Sequence, residues 1–189
     1  MFDLRILLAL IPCLTAIGFY LFSIESARDL FSAGAPPAQD FTPPVSILKP
    51  LRGFEADAYR NLASFCDQDY PAYQILFGVS DENDPSIEVV RRIIRDFPGR
   101  DIRLLLCEPG TAANPKVGSL IQMAAGAKHP FLLVSDSDIR VGPDYLRRVM
   151  RPLQDPQVGA VTCMGRSRTH GLPSILVHLP MNSQRVFRR

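Results

Sequence analysis

The 189-residue chain has no tryptophan, no closely spaced pair of cysteines and almost no excess of charge of one sign. Its 21 basic and 19 acidic residues leave a net charge of +2, so no global basic field favours a nucleic acid partner. The four cysteines form no C-x-x-C pair and have no histidine at ligand spacing. We therefore expect buried free thiols in a reducing compartment, rather than a zinc site or a disulfide framework.

Three common catalytic signatures are also absent. The chain contains no G-x-x-x-x-G-K-[ST] phosphate loop, no G-x-G-x-x-G fingerprint and no G-x-S-x-G elbow. Its three histidines, His129, His170 and His178, form no visible constellation. Carboxylates and lysines are then the side chains in which to look for chemistry.

The longest hydrophobic run lies near the N-terminus. Ile6 to Ile24 is 19 residues without a charge, long enough to span the hydrocarbon core of a membrane as a helix. Arg5 is the one basic residue before it and no A-x-A site follows, so we predict a retained transmembrane helix over 6–24. A signal peptide and a buried helix are the alternatives. Residues 25–44, which include AGAPPAQDFTPP, are predicted to form a linker.

Apolar runs alternate with helical patterns from Val45 to Cys163. Strands are predicted over 45–48, 73–79, 102–107, 131–134 and 158–163, and the composition of the fourth indicates burial on both faces. Helices are predicted over 55–65, from Asp84-Pro85 to Phe97, over 115–127 and over 143–153. This order predicts an α/β domain with a mostly parallel sheet, whose ligands bind at the carboxyl ends of the strands.

Acidic clusters follow the second and fourth predicted strands, as SDEND (80–84) and SDSD (135–138). Asp136 and Asp138 are candidate ligands of Mg²⁺ or Mn²⁺, which take oxygen ligands and bridge to substrate phosphates. The alternative is a solvated acidic turn. Asp81 and Asp84 are candidates for binding a nucleotide base or ribose. Their alternatives are a turn residue for Asp81 and a helix cap for Asp84.

Two lysines are expected near the same edge of the sheet. Lys116 lies in the first turn of the helix that Asn114-Pro115 opens, where the helix dipole disfavours a cation. A lysine beside free backbone N–H groups at that position suits an anionic phosphate. Lys49, at the end of the first strand, allows the same interpretation. For both, the alternative is a side chain that extends to solvent.

Four blocks carry a family resemblance: PPVSILKPLRG (43–53), CDQDYPAYQILFGVSDENDP (66–85), NPKVGSL (114–120) and VSDSDIRVGPDYL (134–146). Together they resemble the inverting, processive-type glycosyltransferases with a GT-A fold, especially ceramide glucosyltransferases and their bacterial counterparts in hopanoid synthesis. The resemblance implies that residues 45–163 are the Rossmann-like, nucleotide-sugar-binding part of a GT-A domain. A membrane helix before the domain is also similar to that family. The cytosolic supply of UDP-sugars leads us to expect the domain on the cytoplasmic side.

The resemblance implies a role for each candidate residue. Asp84 matches the first family aspartate, beside the nucleotide, and Asp81 assists it. Asp136 matches the second aspartate, Asp138 completes the metal-binding D-x-D, and Lys116 matches the lysine near the donor phosphates. The implied reaction transfers a hexose or N-acetylhexosamine, with inversion, from a UDP-sugar to a lipid of the ceramide or hopanoid type. Mg²⁺ or Mn²⁺ is the implied cofactor.

The chain departs from the family pattern after Asp138. It has no Glu-Asp pair to supply the third aspartate, the implied base, so no catalytic residue is identified, and without tryptophan it lacks the Q/R-x-x-R-W motif. Residues 164–189 carry five arginines and no acidic residue, which indicates an atypical basic tail. The tail is either the product of a truncated reading frame or a basic segment that binds a membrane surface. We expect a family member with little or no turnover alone.

Two other functions fit part of the pattern. A phosphatase of the haloacid-dehalogenase type also has an aspartate after an apolar strand. Its D-x-D motif leaves the first strand before Thr or Val, whereas here the motif leaves the fourth predicted strand before Ile139. A non-catalytic, membrane-tethered module that retains UDP affinity is the other alternative.

Overall fold

The computed structural model describes residues 4–32, 41–53, 57–163 and 186–188, and the chain divides into two compact units, Met1–Ala38 and Gln39–Arg189. The first unit contains helix α1 (Leu4–Ser32), which continues beyond Ile24 into the predicted linker. Large apolar side chains of α1 are exposed, among them Ile17 and Phe22. Within the described ranges, no helix is both long and apolar enough to cross a membrane. The predicted span over 6–24 is therefore not confirmed.

The second unit alternates strands and helices in the predicted order. Its strands are β1 (Val45–Pro50), β2 (Tyr73–Val79), β3 (Asp101–Leu106), β4 (Phe131–Val134), β5 (Val158–Val161) and β6 (Val186–Arg188). Its helices are α2 (Ala58–Cys66), α3 (Ser86–Asp96), α4 (Pro115–Ala125) and α5 (Tyr145–Met150), the last followed by a 3₁₀ turn at Arg151–Gln154. Linker residues 33–40 and tail residues 164–185 and 189 lie outside the described ranges.

Strands β1 to β4 form a parallel sheet in the order β3-β2-β1-β4. Every residue of β2 is buried, because this strand has a neighbour on each side and is covered on both faces. The expected α/β architecture with a parallel sheet is thus confirmed. Strand β5 does not join this sheet but pairs antiparallel with β6 in a separate sheet of two strands.

Two apolar clusters pack on opposite faces of the sheet. One joins the sheet to α2, α3 and α5, and includes Phe65, Val90 and Leu146. The other joins it to α4 and includes Leu48, Leu76, Cys107 and Met123. The four cysteines are free, as predicted, but Cys66 and Cys107 are buried whereas Cys13 and Cys163 are exposed. Burial raises the pKa of the Cys66 thiol to about 12.

Strand β4 is less buried than its composition predicts. Leu132 and Val134 lie opposite Ser46 and Leu48 of β1, and they are 49% and 53% exposed. Of the three aliphatic residues of this strand, Leu133, which lies between the other two, is the buried one. The prediction that both faces of β4 are buried is therefore wrong, because the strand lies at the edge of the four-stranded sheet.

Candidate functional site

An open cleft of about 670 Å³ lies at the carboxyl edge of the parallel sheet. Its walls come from the segments that follow β1, β2 and β4, together with the first turn of α4. Five of the predicted site residues line it: Asp81, Asp84, Lys116, Asp136 and Asp138. The sixth candidate, Lys49, is fully buried and is not among the lining residues. The fold thus brings four separate parts of the sequence to one place, as the position rule for ligands of parallel sheets led us to expect. What each of these residues does in the cleft stays a prediction.

Asp84 joins two loops of the cleft. Its Oδ1 accepts hydrogen bonds from the N–H (2.9 Å) and the hydroxyl (2.6 Å) of Ser86, at the start of α3. Its Oδ2 accepts one from the N–H of Gly53 at 2.8 Å, in a loop where Gly53 has a φ of +75° that glycine adopts most readily. Asp84 thus makes the helix-start contacts of the capping alternative while it also lines the cleft.

The ionised form of Asp84 is favoured by these contacts. Burial opposes ionisation, but the hydrogen bonds from Ser86 and Gly53 and the charge of Arg52 outweigh it and hold the pKa of Asp84 below its usual value. A carboxylate that accepts several N–H and O–H bonds is expected to behave in this way. Asp84 therefore contributes a fixed negative charge to the cleft at neutral pH.

Asp81 shapes the turn that follows β2. Its Oδ1 accepts a hydrogen bond from the N–H of Asn83 at 2.9 Å, and its carbonyl accepts one from the N–H of Asp84 at 3.1 Å. The preceding Ser80 hydroxyl lies 3.2 Å from the hydroxyl of Ser119 in α4. The turn is thereby held by both side-chain and backbone contacts, and Asp81 itself remains exposed.

Lys116 forms an ion pair with Asp136 across the cleft. The two side chains are 52% and 58% exposed, and a pair so open to solvent contributes at most about 1 kcal/mol to stability. An incoming anion or cation can therefore replace either partner at small cost. Asn114 caps α4, accepting at Oδ1 from the N–H groups of Lys116 (3.0 Å) and Val117 (3.4 Å). The expectation of free backbone N–H groups beside Lys116 is wrong, because this cap occupies them.

The carboxylates after β4 fit one type of metal site. Across the part of the chain that the structure describes, no group of three or more histidine, cysteine, aspartate or glutamate side chains is placed to hold a metal ion. The cleft offers the two exposed carboxylates of Asp136 and Asp138. Such a set suits Mg²⁺, which proteins commonly bind through one or two carboxylates plus substrate phosphates. It does not suit a cation that needs an all-protein cage.

Sequence reasoning missed the polar side chains of α2 that hold the loop after the D-x-D. Asn61 accepts at Oδ1 from Nε of Arg140 at 3.2 Å. The hydroxyl oxygen of Ser64 accepts from the N–H of Val141 at 3.1 Å. Both residues belong to the face of α2 that packs towards this loop, so the acidic segment is fixed from the side as well as from β4.

Gln68, just past the end of α2, makes the most extensive of these contacts. It is only 3% exposed. Its Nε2 donates to the carbonyls of Ser64 and Gly142, each at 2.8 Å, and its Oε1 accepts from the N–H of Leu146 at 3.2 Å. The spacing of Asn61 and Ser64, at i and i+3, was the available signal, since it places two polar groups on one face of α2. No such periodic signal pointed to Gln68, which lies beyond the helix.

Comparison with known proteins identifies the family. The model of glycosyl transferase family 21 matches residues 8–186. The chain belongs to glycosyl transferase family 21. This family 21 chain is 36% identical over 102 residues to ceramide glucosyltransferase 1 of Caenorhabditis elegans, covering 54% of the chain and 22% of that protein. It is 33% identical over 147 residues to a ceramide glucosyltransferase of Candida albicans, covering 71% and 26%. The matched part thus spans about a quarter of the length of these relatives.

Solved structures agree with the fold of this family 21 chain. The mannosyltransferase PcManGT from Pyrobaculum calidifontis, in complex with GDP-Man and Mn²⁺, is similar with a TM-score of 0.64 and 25% identity, over 82% of the chain and 46% of that protein. S. aureus TarS 1-349 is similar with a TM-score of 0.53 and 18% identity, over 68% and 38%. The second likeness is one of fold alone, and both support a GT-A-like architecture.

Proposed function

We propose that the cleft binds a UDP-sugar together with Mg²⁺ or Mn²⁺, as the donor half of a site that transfers a hexose or N-acetylhexosamine to a lipid hydroxyl. The observation that carries this proposal is the convergence of Asp81, Asp84, Lys116, Asp136 and Asp138 on one cleft. Membership of family 21 supports sugar transfer. The complex of PcManGT with GDP-Man and Mn²⁺ supports a nucleotide sugar with a divalent cation. The ceramide glucosyltransferase relatives, by their names, support a lipid acceptor.

Each of the five side chains has its own role in this proposal. Lys116 leaves Asp136 and forms charge-assisted hydrogen bonds with the diphosphate. Asp136 and Asp138 would hold the cation, and a bound cation would neutralise charge that develops on the departing diphosphate. Asp84 keeps the nucleotide-side loops in place through Ser86 and Gly53. Asp81, with its exposed carboxylate, accepts hydrogen bonds from the nucleoside.

The charge of the cleft makes donor binding depend on the cation. Four aspartates and two basic residues, Arg52 and Lys116, are among the lining side chains, so the lining has a formal charge of −2. A diphosphate entering such a site meets net repulsion. A divalent cation cancels that charge, and we therefore expect UDP to bind weakly or not at all without one.

Transfer also needs a base that takes the proton of the acceptor hydroxyl. We assign this role to no described residue, because each carboxylate of the cleft already has a place in donor binding. The expected behaviour of the 189-residue chain is therefore donor binding with little or no turnover. A non-catalytic UDP-binding module would behave in the same way, so UDP binding alone does not distinguish it from an enzyme. A turnover assay with UDP-sugars and lipid acceptors tests the expectation. Product formed at an ordinary rate would contradict the expectation.

The donor site is tested by isothermal titration of UDP into the full chain in detergent, with and without Mn²⁺. We expect UDP to bind only when Mn²⁺ is present. In Asp136→Asn and Asp138→Asn we expect the affinity for UDP to fall at least about tenfold, as is usual when a metal site is perturbed. Asp101→Asn is the matched control. It removes the same charge at the opposite edge of the sheet, where Asp101 pairs with Lys128.

Two results would contradict the donor-site proposal. One is the absence of UDP binding by well-folded wild-type chain with Mn²⁺. The other is binding that Asp136→Asn, Asp138→Asn and Asp101→Asn leave equally strong. Beryllium fluoride binding without any UDP binding would instead favour the phosphatase alternative, which the family 21 match already opposes.

A further inference from the structure

Lys49 is a fully buried lysine directly beneath the acidic turn at 135–138. It is 0% exposed, and proteins rarely bury a lysine so completely unless its ammonium is paired. Leu48 lies opposite Val134 in the sheet, so Lys49 is level with the first residue after β4. The structure therefore corrects the alternative in which this side chain extends to solvent. The donor-site proposal also gives Lys49 no role.

The ammonium of Lys49 contacts the turn itself. Its Nζ donates to the hydroxyl of Ser135 at 3.1 Å and to the backbone carbonyl of Asp136 at 2.6 Å. It also lies 3.8 Å from the centroid of the Phe65 ring. Removing an ammonium from water is costly, and charge-assisted hydrogen bonds with a cation–π contact offset that cost. The burial of this charge is thus coupled to the conformation of the turn.

The carbonyl of Asp136 is the centre of the turn. Besides the Lys49 bond, it accepts a longer hydrogen bond from the N–H of Ile139 at 3.4 Å. The preceding residue is anchored as well, because the N–H of Ser135 donates to the carbonyl of Leu48 at 3.1 Å. Two consecutive residues of the turn are therefore attached to β1, one through the backbone and one through Lys49.

We propose that Lys49 is a positioning residue that fixes the peptide group of Asp136, and thereby aims the carboxylates of Asp136 and Asp138 into the cleft. This inference rests on the proposed function, because the aim of the two carboxylates matters for holding a cation. Lys49 acts through the backbone from the buried side. The ligand-bearing side chains act from the exposed side of the same turn.

A purely structural role for Lys49 predicts that Lys49→Met loses stability without a selective loss of binding. Removing a buried ammonium also removes the cost of its desolvation, and the carbonyl of Asp136 keeps the N–H of Ile139 as a donor. Lys49→Met keeps the length of the side chain and its contact with Phe65, but it leaves the carbonyl of Asp136 without its strongest donor. The positioning role therefore predicts loss of cation-dependent binding without a matching loss of stability.

The test compares Lys49→Met with wild type and with Val90→Ala, a buried core position in α3. The readouts are the affinity for UDP with Mn²⁺, the unfolding midpoint in denaturant, and amide hydrogen exchange in the full chain. We expect Lys49→Met to weaken binding about 10- to 100-fold, the usual cost of removing a residue that orients metal ligands. Exchange is expected to accelerate at residues 135–139. Val90→Ala is expected to lower the unfolding midpoint and to leave binding and the exchange of the turn unchanged.

The outcomes separate this inference from the donor-site proposal. Binding by Lys49→Met within twofold of wild type, with exchange at 135–139 like that of Val90→Ala, overturns the positioning role. If wild type itself binds no UDP, the donor-site proposal fails. The exchange comparison then decides the role of Lys49: acceleration confined to the turn supports it, and uniform acceleration overturns it.

A second variant covers the case in which Lys49→Met does not fold. Ser135→Ala removes one acceptor of the ammonium and also the 3.3 Å hydrogen bond from the Ser135 hydroxyl to the carbonyl of Asp136. The ammonium keeps its own bond to that carbonyl. We expect a severalfold weaker affinity and faster exchange at residues 136–139. Unchanged affinity together with unchanged exchange would overturn the inference.

Discussion

At the scale of single residues, the carboxylate of Asp84 is the most constrained group of the cleft. One of its oxygens holds the start of α3 through Ser86, and the other holds the loop at Gly53. A side chain with both oxygens in hydrogen bonds stabilises the two segments it joins, and this effect does not depend on a bound nucleotide. Its contribution to stability can therefore be measured without any ligand.

We predict that Asp84→Asn lowers the free energy of unfolding at pH 7 by about 1 kcal/mol. The amide oxygen of asparagine can still accept from Ser86, but its NH₂ group cannot accept the hydrogen bond from the N–H of Gly53. The folded-state pKa of Asp84 is lowered from 3.8, so its ionised form is stabilised by folding. That contribution is fully present above the unfolded-state pKa and is lost as the pH falls from about 3.8 through the folded-state pKa. Urea denaturation at pH 7 and near pH 3 measures both values.

Asp81→Asn is the control for this prediction, because asparagine forms the same Asx turn and an exposed substitution usually changes stability by less than about 0.5 kcal/mol. The difference between wild type and Asp84→Asn should narrow at the lower pH. An equal difference at both pH values would show that the charge of Asp84 contributes nothing to stability.

The sequence allowed the residue types of the site to be predicted, but not the bonds they make. The D-x-D pair, Asp81, Asp84 and Lys116 were identifiable because polar residues that follow buried parallel strands meet at one edge. The cap by Asn114 was not expected to occupy the backbone N–H groups near Lys116. Nor did sequence reasoning place Lys49 beneath Asp136, because that contact joins positions 87 residues apart.

At the scale of elements, the carboxyl end of α2 acts as the support of the loop that follows the D-x-D. Asn61, Ser64 and Gln68 each bond to that loop, at Arg140, Val141 and Gly142 respectively. Gln68 lies beyond the end of the helix and is the most buried of the three. Its amide bonds to the backbone of Ser64 in α2 and to the backbone of Gly142 and Leu146 on the other side. The loop is therefore anchored by side chains rather than by a strand ladder.

We predict that Gln68→Ala lowers the free energy of unfolding by about 2 kcal/mol. It leaves the buried N–H of Leu146 without its side-chain acceptor, and it removes one of the two donors to the carbonyl of Gly142, which keeps the N–H of Tyr145. It should also weaken Mn²⁺-dependent UDP binding, since the loop continues from Asp138. Chemical denaturation and titration measure the two effects. Asp67→Ala, at the exposed neighbouring position, should change neither by much. A neutral Gln68→Ala would mean that water replaces the amide without cost.

The elements themselves were largely predictable, whereas their exposure was not. The bounds of β2 and β4 match the predicted strands, and α4 begins at the predicted Pro115, because apolar runs and the N-terminal proline are local signals. The exposure of Leu132 and Val134 depends on the strand order, which places β4 at an edge. The pairing of β5 with β6 likewise depends on long-range contacts that no local pattern contains.

At the scale of the whole molecule, the cleft belongs to one of the two compact units. Every lining residue lies between Pro50 and Asp138, within the unit Gln39–Arg189. Both apolar clusters that support the sheet also lie in that unit. The unit therefore contains the core, the cleft and the loops that shape it.

We predict that a variant beginning at Gln39 unfolds cooperatively and binds UDP with Mn²⁺ within about twofold of the full chain, because a unit with its own core is expected to fold alone. Denaturation monitored by circular dichroism and titration with UDP are the measurements. The matched comparison is the same variant carrying Asp136→Asn, which should lose the binding as the full chain does. If the shortened variant unfolds cooperatively but binds more than about tenfold more weakly, a free-energy loss of at least ~1.4 kcal/mol, then residues 1–38 contribute to the donor site. The division of the chain into an independent binding unit would then be wrong.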